Sequence, residues 1–179
     1  MQQTPFLDDD PARLALKRAA AALDEAEGLG QPIVMSQALA AVARCYRLLH
    51  APAAAEAYLE MALRWGRAAQ AQDQVVDLLC ELCETAIALA CAQDADTPGS
   101  GRAACERARD HAFEASLLAP RVADADWEVK VLLRVSDALN RLGDHDDASG
   151  LQTRALRLMN GSPDLDVAEL PGLGRLADG

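Results

Sequence analysis

AEAYLEMA, residues 55–62, begins and ends on alanines seven positions apart, a spacing that corresponds to two turns of an α-helix. The same spacing recurs in ALKRAAAA (15–22), ARDHAFEA (108–115) and ASGLQTRA (148–155). The first two segments start 40 residues apart and so do the last two, whereas the middle step is 53 residues. A 40-residue period with one 13-residue insertion predicts stacked helical hairpins. Arrays of this kind present extended surfaces that bind partners.

The composition favours an all-α fold. The 179 residues include 38 Ala and 27 Leu, but only 3% are aromatic. Alanine and leucine have the highest helix propensities, and the β-branched and aromatic residues that strands prefer are scarce. We therefore expect an α-solenoid of about seven antiparallel helices, consisting of three hairpins and an N-terminal capping helix.

The net charge of −11 argues against some classes of partner. A protein that binds a phosphate backbone neutralises it with Lys and Arg, so we expect neither nucleic acid nor an anionic membrane as partner. The acidity fits either an ordinary soluble surface or an acidic recognition patch. The first ten residues resemble no secretory signal, and five cysteines suit a reducing compartment, so the expected location is cytoplasmic.

Proline and glycine positions predict where the helices begin and end. Asp10 before Pro11 is a helix start, and Gly28-Leu29-Gly30 is a stop. The segment 94–101, DADTPGSG, has the composition of a loop and coincides with the insertion. The expected organisation is an N-terminal arm (1–9), a repeat domain (10–160, with a loop insertion at about 93–101) and a flexible tail (161–179). The predicted helices cover about 11–27, 32–49, 53–71, 72–92, 102–119 and 123–142, and a seventh follows the turn 143–146 and ends near 159.

Helices two, four and six share one pattern of large, large, small and large residues. Its positions are Leu39/Leu79/Leu132, Val42/Leu82/Val135, Ala43/Cys83/Ser136 and Tyr46/Ala86/Leu139. Together with the turn LNRLGDHDDA (139–148) and the alanine pairs of the second helices, this pattern resembles the tetratricopeptide repeat in a long version of about 40 residues. The likeness covers about residues 11–160.

This resemblance implies a concave groove lined by the first helix of each hairpin. Lys130 and Arg134, one turn apart, would grip a single carboxylate, although Asp77 and Glu84 stand where such a clamp favours an amide or a base. A groove of mixed charge for a peptide of mixed charge and a merely solvated face are both open alternatives. The groove residues implied by the resemblance are Gln37, Arg44, Arg47, Asp77, Cys80, Glu84, Ile87, Lys130, Arg134, Asp137 and Arg141.

No pattern of residues singles out a catalytic or metal site. Cys80 and Cys83 form a CxxC, which suggests a redox pair or half of a zinc site. Both lie in the middle of a predicted helix without a second CxxC, and Cys83 occupies the small packing position, so we favour a structural role. Of three histidines, His50 and His145 fall in turns. We expect no cofactor, no bound metal and no enzymatic activity.

The leading hypothesis is a non-catalytic adaptor or scaffold that binds a protein or peptide in the groove. A regulatory subunit that senses a peptide or small ligand is the alternative. The tail carries Leu165, Leu170 and Leu173 among acidic residues, and either disorder or docking into a groove near Arg44, Arg47 and Lys130 fits its composition. The last helix has no evident polar cap unless the tail covers it, so a homodimer is a further possibility.

Overall fold

The computed structural model describes residues 10–122 and 124–161. Within these ranges the chain forms seven α-helices and one short 3-10 helix and contains no strand, which confirms the all-α prediction. No helix of the described ranges is both long and apolar enough to cross a membrane. The helices are α1 (Pro11–Leu29), α2 (Pro32–Leu48), α3 (Pro52–Ala68), α4 (Gln72–Asp96), α5 (Arg102–Leu118), α6 (Ala125–Arg141) and α7 (His145–Met159), and the 3-10 helix covers Ala119–Val122.

The helices begin at residues suited to that position. The Asp10 carboxylate caps α1 by accepting a hydrogen bond from the backbone N–H of Ala12 at 3.0 Å. The Asp124 carboxylate caps α6 by accepting from the N–H of Trp127, also at 3.0 Å. Three helices start at a proline, whose fixed φ suits the first helical turn and whose missing N–H costs nothing there.

Three helices end in the same backbone motif. Each has a residue at positive φ after its last turn: His50 (55°) after α2, Gln70 (56°) after α3 and Gly143 (85°) after α6. The next N–H then reaches back five residues, as from Ala51 to the Tyr46 carbonyl at 3.0 Å. This pattern satisfies helix-end carbonyls that would otherwise lack a donor. His50 therefore occupies after α2 the position that Gly143 occupies after α6, and the geometry of the turn accounts for its place.

The chain divides into two compact units, residues 1–71 and 72–179. In the described part of the first unit, α2 packs against both α1 and α3. Ala19, Val42 and Cys45 are buried in its core, and the rings of Tyr46 and Tyr58 stack with centroids 5.3 Å apart. The buried Ser36 hydroxyl donates to the Ala62 carbonyl at 2.7 Å and so ties α2 to α3.

In the second unit, α4 packs on α5, α6 packs on both, and α7 packs on α6. Leucine and valine side chains fill the spaces between the helices, among them Leu79, Leu82 and Leu132, which are fully buried. The Arg109 guanidinium of α5 spans to the turn after α6, donating to the Asp144 carboxylate at 2.6 Å and to the Leu142 carbonyl at 3.0 Å.

Three of the four alanine pairs are buried, as expected for a spacing that predicts close helix contacts. All six alanines in α3, α5 and α7 are fully buried: Ala55, Ala62, Ala108, Ala115, Ala148 and Ala155. The pair in α1 differs, since Ala15 is half-buried and Ala22 exposed. Within its unit α1 packs mainly on α2, so only part of its surface is covered.

The 13-residue insertion is mostly helical, which corrects the prediction of a loop over about 93–101. Helix α4 has 25 residues where α2 and α6 have 17, and it continues to Asp96. Only residues 97–101 separate it from α5. Asp94 is still part of α4, and its side chain accepts a hydrogen bond from the Gly101 N–H at 2.7 Å. A Cβ on Gly101 would lie 2.5 Å from the Ala90 carbonyl oxygen, so glycine is required for this close approach.

Candidate binding face on helices α4 and α6

Helices α4 and α6 are the first helices of the second and third predicted hairpins, and they pack side by side in the second unit. Eight of the predicted groove residues lie on them. Lys130, Asp137 and Arg141 are exposed, and Asp77, Glu84 and Arg134 are partly exposed. The six charged residues therefore contact solvent, as a binding face requires. We call these six residues the α4–α6 face.

The remaining two predicted residues of these helices are buried. Cys80 and Ile87 lie at positions that the repeat pattern aligns with Leu133 and Asn140 of α6. Both are covered almost completely. They contribute to packing in this structure and leave the charged side chains as the accessible part of the face.

An ion pair between Glu84 and Arg134 joins the two helices. The Arg134 Nε donates a hydrogen bond to a carboxylate oxygen of Glu84, 50 residues earlier in the sequence. Burial acts to lower the pKa of Arg134, but its hydrogen bond to Glu84 and the charge of that carboxylate outweigh burial and raise it. Arg134 therefore binds a carboxylate of this chain, whereas the sequence alone suggested that it would bind a carboxylate of a partner.

Exposed charges of both signs flank this ion pair. Lys130 lies one turn before Arg134, and Asp137 and Arg141 lie about one and two turns after it. Positions three or four apart face the same side of a helix, so these residues follow one stripe of α6. A ligand with separated positive and negative groups would find complementary partners along this stripe.

The CxxC thiols lie beneath this face and are not poised to react. Burial raises the pKa of Cys80 to about 12, with the Arg134 guanidinium acting in the opposite direction. Burial likewise raises the pKa of Cys83 to about 12, to which the Glu84 carboxylate adds, whereas Arg141 and Arg134 lower it. The thiolate is the form that attacks and binds metals, so a raised pKa leaves little reactive thiolate at either position near neutral pH. This agrees with the structural role inferred from the sequence.

The other three predicted groove residues lie on α2, in the first unit. Gln37 and Arg44 are exposed and Arg47 is half-buried. Their spacing along α2 places them on neighbouring turns of one helix. They form a polar face of the first unit, described separately from the α4–α6 face.

No set of three or more His, Cys, Asp or Glu side chains within residues 10–122 and 124–161 is arranged to hold a metal ion. What the α4–α6 face offers chemically is charge pairing and hydrogen bonding.

Comparison of the chain with protein-family models and with curated proteins found no match.

A second ion pair between helices was not anticipated from the sequence. Arg154 of α7 donates to the Glu128 carboxylate of α6 at 2.6 Å, and both side chains are about nine-tenths buried. Arg154 directly precedes Ala155 of the alanine pair, so its place beside a helix contact was predictable from the sequence. Its partner was not readable, because the two residues are 26 positions apart on different helices.

The five thiols are expected to react with a maleimide in an order set by burial and pKa. Cys91 is exposed and Cys105 half-buried, whereas Cys45, Cys80 and Cys83 are buried. We expect Cys91 to be labelled first and Cys105 next at pH 8. A pKa near 12 instead of 9.0 leaves about a thousandfold less thiolate at Cys80 and Cys83.

Mass spectrometry of the labelled peptides measures this order, and labelling in denaturant is the control that all five thiols are free. Cys80 and Cys83 should remain unmodified even when the pH is raised from 7 to 9, because their pKa values lie near 12. Rapid labelling of either CxxC thiol in the folded protein would contradict the inert assignment.

Proposed function

We propose that this chain is a non-catalytic interaction module that binds a peptide segment of mixed charge on the α4–α6 face. The observation that carries the proposal is the Glu84–Arg134 ion pair, set between two adjacent helices and flanked by exposed Lys130 and Asp137. The resemblance of residues 11–160 to tetratricopeptide repeats supports it, since in that family the first helices of the hairpins line the binding groove.

The chemistry of the ion pair suggests how a partner would be recognised. Arginine presents a planar fork of N–H donors that suits carboxylates. Because Arg134 and Glu84 are both partly exposed, a carboxylate of the partner would compete with Glu84 for the guanidinium. Lys130 would add a second positive charge one turn away, and Asp137 would favour a basic residue next to the acidic one.

A charge-reversal experiment tests this function. The probes are fluorescein-labelled decapeptides of graded charge, measured by anisotropy in buffer of low ionic strength. We expect the variant Lys130→Glu/Arg134→Glu to bind acidic decapeptides at least about tenfold more weakly, since two attractive contacts become repulsive. Glu84→Gln should bind them more tightly, because it releases Arg134 from its internal carboxylate.

Arg102→Glu is the matched control, because Arg102 is a highly exposed arginine on α5 in the same unit. Its reversal changes the net charge by as much as either single substitution of the double variant does. It leaves the α4–α6 face intact. Equal affinity of the wild type, the control and the double variant for every decapeptide would refute binding at this face.

A further inference from the structure

The last hairpin exposes apolar side chains at positions that the preceding hairpin buries. In α5 and the 3-10 helix, Ala112, Ser116 and Ala119 are buried, and both elements contact α6 of the hairpin that follows. The residues 40 positions later are Gln152, Leu156 and Met159 of α7. Leu156 is 58% exposed and Met159 is 65% exposed. The row that is covered in the second hairpin is thus uncovered in the third.

The first helices of the two hairpins show the same contrast. Cys80 of α4 is buried, and it lies within range of the Arg134 charge on α6. The residue at the equivalent position of α6 is Leu133, 53 positions later, and it is 45% exposed. The third hairpin thus exposes a leucine at a position where the side chain of the second hairpin is covered.

These residues belong to one surface. The exposed Gln152 side chain donates to the buried Ser136 hydroxyl at 2.9 Å and so joins α7 to α6. Leu133 lies one turn before Ser136, and Leu156 lies one turn after Gln152. Because paired helices run antiparallel, these two leucines lie at a similar level. We call Leu133, Gln152, Leu156 and Met159 the terminal face.

We propose that residues 162–179 of the same chain dock on the terminal face. This segment follows directly on Gly161, two residues beyond the end of α7. Its 18 residues can extend to about 60 Å, well beyond the roughly 22 Å length of the 15-residue α7. Reach therefore poses no obstacle to its folding back along the helix.

The composition of the segment matches the surface. Its apolar residues are the kind that would cover exposed leucine and methionine side chains: Leu165, Val167, Leu170, Leu173 and Leu176. Acidic residues lie among them, at Asp164, Asp166 and Glu169. Arg157 beside Leu156 and Lys130 on α6 are exposed and offer charges of the opposite sign. The segment thereby supplies both the apolar cover and the charge complement of the terminal face.

Hydrogen exchange of the full-length chain, followed by mass spectrometry, tests the docking. We expect peptides within 162–179 to exchange at least about tenfold more slowly than an unstructured peptide, at a rate independent of protein concentration. In Leu156→Asp/Met159→Asp this protection should disappear. The reciprocal variant Leu170→Asp/Leu173→Asp should lose it as well, and its changes lie outside all described helices.

Leu29→Asp is the matched control, because Leu29 is an exposed leucine at the end of α1 in the other unit. It should leave the protection unchanged. Exchange of 162–179 at the unstructured rate in the wild type would overturn the proposal. Protection that grows with protein concentration, with dimers in sedimentation, would overturn it too, since a second copy would then cover the face.

Discussion

Replacing Arg154 by methionine is expected to lower the free energy of unfolding by about 3–5 kcal/mol. The Arg154 and Glu128 side chains are 9% and 10% exposed and meet at 2.6 Å in the contact between α6 and α7. Removing the guanidinium leaves the Glu128 charge in a site from which water is largely excluded, and desolvated charge without its counterion is costly. Urea denaturation followed by circular dichroism measures the change.

Two variants bracket the interpretation. Arg154→Met/Glu128→Leu replaces both charges by apolar groups and should recover most of the lost stability, because no unpaired charge remains. Arg102→Met breaks the exposed pair with Glu106 on α5 and should cost less than about 1 kcal/mol. If Arg154→Met were as mild as Arg102→Met, the ion pair would not be buried in solution as it is in the structure.

Replacing Ala108 by leucine is the second change with a large expected effect, about 1–3 kcal/mol of lost stability. Ala108 is fully buried in α5 and belongs to one of the seven-residue alanine pairs. Leucine adds three carbon atoms at a fully buried position of α5, and neighbouring side chains or the backbone must shift to admit them. The urea midpoint should fall while the dependence of the unfolding free energy on urea concentration stays nearly constant. The reason is that the surface exposed on unfolding is unchanged.

Ala22→Leu is the control for this prediction. Ala22 belongs to the pair in α1 but is exposed, so leucine there should change stability by less than about 0.5 kcal/mol. The comparison separates helix propensity from packing, because both substitutions place leucine within a helix. Equal effects at the two positions would show that the alanine spacing does not mark close helix contacts.

Local sequence signals accounted for most helix boundaries. Proline at the first helical position and a capping aspartate act within a turn or two, so Asp10, Pro11 and Pro32 were informative without knowledge of the fold. The insertion was misjudged because composition around Pro98 and Gly99 indicates a loop but not how far α4 continues into it. The hydrogen bond from the Gly101 N–H to Asp94 joins the two sides of that short loop.

The candidate face was only partly predictable. The resemblance to tetratricopeptide repeats placed Glu84 and Arg134 on the groove, but their pairing depends on how α4 and α6 pack, across 50 residues of sequence. The same packing buries Cys80, which the resemblance had implied to be a groove residue. Burial is a property of what covers a residue, so a periodicity within one helix does not predict it.

For this protein, the amino-acid order was sufficient for the all-α class, the repeated hairpins and the buried alanine pairs of α3, α5 and α7, because these depend on spacings of at most a few turns and on a period that repeats. The ion partners of Arg134 and Arg154, the inert state of Cys80 and Cys83 and the uncovered apolar side chains of the last hairpin were decided by tertiary packing. Those features arise where residues far apart in the chain exclude water from one another or fail to do so, which only the arrangement of the helices determines.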